Sequence, residues 1–279
     1  MVAGPLLQGK VAIVTGGGGG GDGGIGRGIC LAFAEQGAAV AVVDADATLA
    51  QTTVAQVAAL GGQAQAIVAD VTDATQVEAL VRRVLDTYGR LDSLVNNVGD
   101  TLRIRRDFVE TGPDDWDALY RINLLHVFLC SRAVTPHMLK QGQGGSIINI
   151  STVEAFRGMP QAAPYTAFKA AITQFTKSFA LEVAAQGIRV NAIAPDMVNR
   201  RTSEDDHWLP KNQRHMIPAW VPRGRMGLAS DVAGAAVFLA SDLAQFVVGA
   251  TVQVDGGTLA AGGWYPTNVG AWTNRPQQP

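Results

Sequence analysis

The stretch that decides the fold is KVAIVTGGGGGGDGGIGRGICLAFAEQ, residues 10–36. It begins with a short β-branched run, Lys10–Thr15, which predicts a buried strand, and it ends with a helical pattern over residues 27–36. Between them lie the glycine tract Gly16–Gly21 and the segment Gly24-Ile25-Gly26. Glycine lets a backbone approach a pyrophosphate closely, and a helix N-terminus offers free N–H groups to it. A glycine tract alone could be a flexible loop, but the flanking strand and helix favour dinucleotide binding.

A second apolar strand, Ala39–Val43, is followed by Asp44, eighteen residues after Gly26. An acid about 20 residues beyond the glycine turn hydrogen-bonds the adenosine ribose in such folds. Its charge would repel a 2′-phosphate, so Asp44 favours NAD over NADP. The alternative is that Asp44 caps the next helix, a role for which Asp46 is at least as suitable.

Tyr165 and Lys169 stand four positions apart (i and i+4), which places a phenol and an ammonium on one face of a helix. A nearby ammonium favours the phenolate, so it can lower a tyrosine pKa from its usual value of about 10 towards working pH. Such a pair can exchange protons with a substrate oxygen, which is general acid–base chemistry on an alcohol or a carbonyl. Alone, the pair could equally be two surface residues, and its weight comes from the glycine turn upstream.

From Gly9 to Leu259 the chain resembles the short-chain dehydrogenase/reductase family of the single-domain kind. Each matching fragment is unspecific, but their order and spacing together are strong. The matching segments are Thr15-Gly16, Gly24-Ile25-Gly26, Asp70-Val71, Asn96-Asn97-Val98-Gly99, Asn123, Ile148-Asn149-Ile150-Ser151-Thr152, Tyr165 with Lys169, Arg189–Pro195, and Asp255-Gly256-Gly257.

The resemblance implies a role for each of these residues. Tyr165 would be the acid–base group, Lys169 would lower its pKa and hold the nicotinamide ribose, and Asn123 would steady a water in the proton relay. With Thr152 they form the expected catalytic set. The expected cofactor-binding residues are Gly16, Gly24, Ile25, Gly26, Asp44, Asp70, Val71, Asn97, Gly99, Tyr165, Lys169, Pro195 and Val198.

Three departures from the family pattern bear on the site. Seven residues, instead of the family's usual three, separate Gly16 from Gly24, so the loop carries a four-residue insertion and either Gly16 or Gly20 takes the first position. The second departure concerns the serine that holds the substrate oxygen in the family, thirteen residues before the tyrosine. That position is Thr152 here, although Ser151 would serve after a one-residue slip in the alignment. Neighbouring residues on a strand face opposite ways, so only one of the two hydroxyls can face the site.

The third departure follows the sixth strand. Asp196 replaces the glycine that usually comes after Pro195. Val198 still fits the position whose backbone meets the carboxamide, whereas Arg200 stands in place of the usual threonine.

Composition and patterning predict one α/β domain. Apolar runs and amphipathic patterns alternate over the 279 residues, which predicts a doubly wound, mostly parallel seven-stranded sheet flanked by helices, a Rossmann-like fold. The domain is expected over residues 1–259, with residues 260–279 as a C-terminal extension of it. Strands are expected near 11–15, 39–43, 65–69, 92–96, 145–151, 188–193 and 250–254, and helices near 25–36, 46–60, 74–88, 114–139, 163–185 and 230–240.

Several classes of function are disfavoured. A net charge of −2 gives no basic footprint for nucleic acid, and the four dispersed histidines do not suggest a metal site. The N-terminal segment does not resemble a signal peptide, and no apolar run is long enough to span a bilayer, so a cytoplasmic protein is expected. The family resemblance implies a homotetramer with a small-molecule substrate.

The substrate has to be sought in two variable loops and in the tail. Arg103, Arg105 and Arg106 follow the fourth strand, and Arg200 and Arg201 follow the sixth. They could pair with an anionic substrate group or could be solvated loop charge. The tail carries large aromatics that are expected to pack on the active-site mouth or on a neighbouring subunit: Trp264, Tyr265 and Trp272.

The sequence therefore predicts an NAD-dependent short-chain alcohol dehydrogenase or ketone reductase with a tyrosine–lysine relay. Within the same chemistry, the alternative is an NADP-dependent carbonyl reductase. In a different class, the alternative is a catalytically idle dinucleotide-binding sensor or scaffold, since a fold does not establish an activity.

Overall fold

A computed structural model of the chain describes residues 4–19, 24–198, 211–263, 265–266 and 272–273. Its main sheet has seven strands, all parallel, in the order β3-β2-β1-β4-β5-β6-β7. The strands are β1 Val11–Thr15, β2 Ala39–Asp44, β3 Gln63–Val68, β4 Ser93–Asn96, β5 Gly145–Ile150, β6 Ile188–Pro195 and β7 Thr251–Val254. The predicted doubly wound sheet is confirmed, and it is wholly rather than mostly parallel.

Helices cover both faces of this sheet. They are α1 Ile25–Glu35, α2 Ala47–Ala59, α3 Ala74–Tyr88, α4 Pro113–Tyr120, α5 His126–Gln141, α6 Ala163–Val183, α7 Ile217–Trp220, α8 Ala229–Ala240 and α9 Thr258–Ala261. One buried cluster joins the sheet to α1, α2 and α8, and a second joins its other face to α3, α5 and α6. Because β1 is buried at every position, its continuous apolar run fits a central strand covered on both faces.

Local sequence signals account for the bounds of several helices. Helix α3 begins after Asp73, whose carboxylate accepts hydrogen bonds from the backbone N–H groups of Thr75 and Gln76. It ends at Gly89, whose φ of 73° lies in the left-handed region that glycine adopts without strain.

One predicted helix is divided. The pattern over 114–139 predicted a continuous helix, but a π-helical segment, Arg121–Leu125, lies between α4 and α5. Such segments insert a residue into the helical ladder and are frequent at functional sites. This one contains Asn123, so the irregularity falls at a predicted catalytic position.

The C-terminal extension is only partly described. After α9, the two-residue strands β8 Tyr265–Pro266 and β9 Trp272–Thr273 pair antiparallel. Trp264, Arg200 and Arg201 lie outside the described residues. Among the helices of the described ranges, none has the length and apolar content needed to cross a bilayer.

Candidate active site

The candidate site lies at the carboxyl ends of β1 and β4, where the strand order reverses direction. Ligands of open parallel sheets bind in the crevice at this point. Asn97 joins the two strands there: its backbone N–H donates to Thr15 Oγ1 at 3.0 Å, and its side-chain Nδ2 donates to the carbonyls of Thr15 and Gly16 at 3.1 and 3.3 Å. The amide predicted to lie along the cofactor therefore also fixes the start of the glycine turn.

Close backbone contacts shape the glycine turn. A Cβ on Gly26 would lie 2.1 Å from the Gly16 carbonyl oxygen, and a Cβ on Gly24 would lie 2.0 Å from the Gly19 oxygen. Gly16 itself has a φ of +63°, which disfavours other residues. These contacts place Gly16 against the first turn of α1 together with Gly24, Ile25 and Gly26, while Gly20 lies outside the described residues. The cradle fits a pyrophosphate, because only glycine leaves room for one beside the helix N-terminus.

Asp44 lies at the end of β2, directly beside this turn. Its Oδ2 accepts a hydrogen bond from the Gly18 backbone N–H at 2.9 Å, and its Oδ1 accepts one from the Asp46 N–H at 3.1 Å. Helix α2 is capped by Asp46, which accepts from Thr48 and Leu49. Asp44 is therefore held at the end of β2 beside the glycine turn, and the capping role falls to Asp46.

Arg27 is a residue of this region that sequence reasoning missed. Its guanidinium is buried, with Nη2 donating to the Gly18 carbonyl at 2.6 Å and Nε donating to Thr53 Oγ1 at 3.1 Å. Thr53 in turn donates to the Gly17 carbonyl at 3.0 Å. An arginine within the apolar pattern of α1 was the available signal, because a buried guanidinium needs specific partners. The Arg27 guanidinium therefore stabilises the glycine turn through the carbonyl groups of the turn.

Asp70 and Val71 follow β3 at the same edge of the sheet. The Asp70 Oδ1 accepts hydrogen bonds from the backbone N–H and the hydroxyl of Thr72, both at 2.8 Å, while Val71 is 5% exposed. The Asx turn therefore keeps the backbone of Asp70 and Val71 in place at the predicted adenine position.

Tyr165 and Lys169 lie on the first turns of α6. The Lys169 Nζ lies 5.9 Å from the centroid of the Tyr165 ring and donates to the Ile150 carbonyl at 3.1 Å. Lys169 is only 3% exposed, whereas Tyr165 is half-buried. A buried amine next to a partly accessible phenol is compatible with proton exchange between the phenol and a substrate oxygen.

Asn123 meets Lys169 at Gly99. Its Nδ2 donates to the carbonyls of Asp100 and Leu119 at 2.8 and 3.0 Å, and its Oδ1 accepts from the Asp100 N–H at 3.1 Å. A Cβ on Gly99 would lie 2.6 Å from Lys169 Nζ and 3.1 Å from Asn123 Oδ1. The two side chains therefore converge on Gly99, where a Cβ would displace the Lys169 ammonium.

The hydroxyls of Ser151 and Thr152 face different surroundings. Ser151 is 5% exposed, and its Oγ donates to the Lys169 carbonyl at 3.0 Å. Thr152 is less buried, and its Oγ1 accepts from the Glu154 N–H at 3.3 Å and makes a long 3.4 Å contact with the Pro195 carbonyl. Thr152 is therefore the more accessible of the two, and its hydroxyl lies near the carboxyl end of β6.

Asp196, the residue in place of the usual glycine, links three segments around the site. Its Oδ2 accepts from Arg157 Nη2 at 2.8 Å and from Thr258 Oγ1 at 2.6 Å. Arg157 also pairs with Glu154, and this hydrogen bond is the largest cause that raises the Arg157 pKa above its ordinary value. Beyond Asp196, Val198 forms a parallel bridge with Gly227. This network fixes the backbone that leads to the predicted carboxamide position.

The predicted substrate-loop arginines are not equivalent. Arg106 pairs with Asp115 on α4, and its backbone N–H donates to the Gln161 carbonyl at 3.1 Å. Arg103 and Arg105 are exposed, and Arg103 has a φ of +57°. A positive φ at a non-glycine residue stores backbone strain, which is frequent in ligand-binding loops.

Comparisons with known proteins agree with this geometry. A family model described as "Enoyl-(Acyl carrier protein) reductase" matches residues 19–258. The chain is 38% identical to a 3-oxoacyl-[acyl-carrier-protein] reductase of Thermotoga maritima over 255 residues, covering 91% of this chain and 99% of the relative. It is 36% identical to a 2-dehydro-3-deoxy-D-gluconate 5-dehydrogenase of Dickeya dadantii, covering 91% and 97%.

A solved structure gives the same result at the level of the fold. A crystal structure from Burkholderia xenovorans, named as a short-chain dehydrogenase/reductase, superposes with a TM-score of 0.82 at 39% identity. The alignment covers 92% of this chain and 98% of that one.

Proposed function

We propose that this chain, which belongs to the short-chain dehydrogenase/reductase family of oxidoreductases, is an NAD-dependent dehydrogenase acting on a secondary alcohol or the corresponding ketone. The observation that supports this most is the grouping of Tyr165, Lys169, Asn123 and Thr152 beside the glycine turn. We place the nicotinamide ring and the carbinol beside these four side chains. This grouping also argues against an idle sensor or scaffold, which would not need the relay.

In the oxidation direction, the Thr152 hydroxyl holds the substrate oxygen and Tyr165, as the phenolate, accepts the hydroxyl proton. A nicotinamide bound beside these residues would supply the redox chemistry, as the acceptor of the hydride from the carbinol carbon. Lys169 holds positive charge beside the phenol and so favours its anionic form. Reduction of a ketone uses the same groups in reverse, with Tyr165 donating the proton.

The preference for NAD is supported by two side chains at the adenosine end. Asp44 puts a carboxylate beside the turn, where a 2′-phosphate would meet its charge. Arg27, a cation on the helix that follows the turn, is buried against Gly18 and Thr53 instead of being turned towards solvent. The NADP-dependent carbonyl reductase is therefore the second candidate within the same chemistry.

The residues at the cofactor are also part of this proposal. Gly16, Gly24, Ile25 and Gly26 would hold the pyrophosphate, and Asp70 and Val71 would lie against the adenine. Asn97, Gly99, Pro195 and Val198 would line the nicotinamide half.

We further propose a homotetrameric cytoplasmic enzyme. Leu181 on α6 is 78% exposed and Phe246, near the edge strand β7, is fully exposed. Large apolar side chains in contact with solvent suit a surface that another subunit covers. Light scattering of the purified protein would test the subunit number, and a monomer would contradict the proposal.

A direct test is reduction of NAD or NADP by a panel of secondary alcohols, with reoxidation by ketones as the reverse assay. The names of the relatives suggest adding 3-oxoacyl thioesters and keto sugar acids to the panel. Turnover with NAD is expected. Binding of NAD without turnover of any substrate would favour the sensor or scaffold.

A further inference from the structure

His126 is a buried histidine with no assigned role. It is the first residue of α5, directly after the π-helical segment that contains Asn123, and its side chain is fully buried. Neither ring nitrogen makes a well-formed hydrogen bond with the part of the chain that the structure describes, and the Val98 backbone gives the ring at most a weak one. An unsatisfied buried polar atom costs about 1–3 kcal/mol, so a fully buried imidazole in this state calls for a physical reason.

The position of His126 relates it to the relay. The ring is near the backbone of Val98, and a Cβ on the next residue, Gly99, would meet Lys169 Nζ and Asn123 Oδ1. The imidazole, the ammonium and the amide therefore surround two consecutive residues after β4.

The electrostatics of the pocket keep this imidazole neutral. Burial, and then the positive charge of Lys169, lower the pKa of His126 to about 3, while the contact with the Val98 backbone acts in the opposite direction. Near neutral pH the ring therefore has one N–H donor and one lone-pair acceptor. It cannot be a second cation beside Lys169, but it can accept a hydrogen bond.

We propose that His126 is a positioning residue of the acid–base relay, whose imidazole holds a bridging water molecule that hydrogen-bonds the network around the Lys169 ammonium. A buried water usually makes about three hydrogen bonds to otherwise unsatisfied polar groups, which is what these ring nitrogens need. The inference rests on the proposed function, because it assigns a task within that relay.

The effect on the reaction follows from charge stabilisation. An acceptor near Lys169 stabilises the ammonium, and the ammonium favours the phenolate of Tyr165. Two further ionisable groups lie on the adjoining segments. Asp100, in the loop after β4, has its backbone hydrogen-bonded to Asn123, and Cys130, one helical turn beyond His126 on α5, has a pKa raised by burial and stays a neutral thiol. The end of β5 contributes the Ile150 carbonyl, which accepts from Lys169, and the neutral Ser151 follows it. Removal of the imidazole should thus make the phenolate harder to form.

The test compares His126→Phe, which keeps an aromatic ring of similar size, with His126→Asn, which keeps a donor and an acceptor. His137→Phe is the matched control, because His137 lies on the same helix about 16 Å farther along it. For alcohol oxidation, His126→Phe should lower kcat roughly tenfold and raise the pH midpoint of its acid limb by about one unit. In His126→Asn, kcat and the pH midpoint should stay close to the wild-type values, and in His137→Phe they should not change. The Kd for NAD should be nearly the same in all of these proteins.

Identical pH profiles for wild type and both His126 variants would overturn the proposal. If His126→Phe does not fold, nitrogen NMR of the NAD-bound wild-type protein decides the question without a variant. Hydrogen-bonded chemical shifts are expected for the ring nitrogens of a neutral His126, and free shifts at both nitrogens would overturn the role. A wild-type enzyme that turns over no substrate would instead contradict the proposed function, and the NMR result would still be informative about His126.

Discussion

Gly99→Ala probes the relay without removing any of its functional groups. Gly99 does not have a positive φ, so alanine is compatible with the backbone there. The new Cβ would lie 2.6 Å from Lys169 Nζ, and ordinary contact begins at 3.4 Å. The ammonium therefore has to retreat by about 0.8 Å, or the strand end has to move away from it.

The magnitude follows from that displacement. A misplacement of about 1 Å in a catalytic site can cost on the order of 10²-fold in rate, which corresponds to about 2.7 kcal/mol of transition-state stabilisation. We therefore expect kcat to fall about 10²-fold in Gly99→Ala. The Kd for NAD should rise as well, because Lys169 is also expected to hold the nicotinamide ribose.

The assay is steady-state oxidation of the best alcohol from the panel, with thermal denaturation measured alongside. Gly234→Ala is the control: Gly234 lies on the exposed side of α8, where a new Cβ meets nothing within 4 Å. That variant should keep its kcat and gain up to about 1 kcal/mol of stability from helix propensity. If Gly99→Ala keeps a near-normal kcat and NAD affinity, the close approach of Lys169 and Asn123 at this residue is not needed for activity, and the reasoning is refuted.

Three further predictions concern the substrate hydroxyl, the cofactor and the tail. Thr152→Ala should lower kcat far more than Ser151→Ala, because Ser151 already donates to the Lys169 carbonyl; the reverse ranking in steady-state kinetics would move the site by one residue. Asp44→Ala should lower the ratio of kcat/KM for NAD to kcat/KM for NADP, because it removes the charge that repels a 2′-phosphate. An unchanged ratio would show that the Asp44 carboxylate does not cause the preference. Truncation after Leu259 should lower the melting temperature or the apparent substrate affinity, since large aromatic side chains contribute most of the energy of the interfaces in which they are buried. An unchanged melting temperature, oligomer size and kinetics would show that the tail is a solvated appendage.

The sequence predicts the fold well because its signals are local and repeated. β-Branched runs, such as the one in β1, alternate with amphipathic patterns. Each strand of the main sheet lies within a few residues of its expected position. The signals for the site residues are also local. Asp44 stands at the end of a strand, and Tyr165 and Lys169 stand on one face of a helix, so the secondary structure fixes their positions directly. The structure accordingly places Asp44 beside the glycine turn and Lys169 beside Gly99, in the loop after β4.

What the sequence did not predict depends on contacts between distant segments. The buried Arg27 joins a helix to a turn and to a second helix, and Asp196 joins segments as far apart as Arg157 and Thr258. The π-helical segment around Asn123 interrupts an otherwise regular apolar pattern, so periodicity alone does not indicate it. Such features depend on tertiary packing, which local patterns do not encode.

The most direct test of the account is Tyr165→Phe, measured for both turnover and NAD binding. This variant removes the proton-transfer group and little of the cofactor contact. General acid–base assistance is typically worth about 10²–10⁴-fold, so NADH formation from a secondary alcohol should fall by at least the lower of these factors while the Kd for NAD stays close to that of the wild type. Near-normal turnover in Tyr165→Phe would contradict the tyrosine–lysine relay, and with it the central claim.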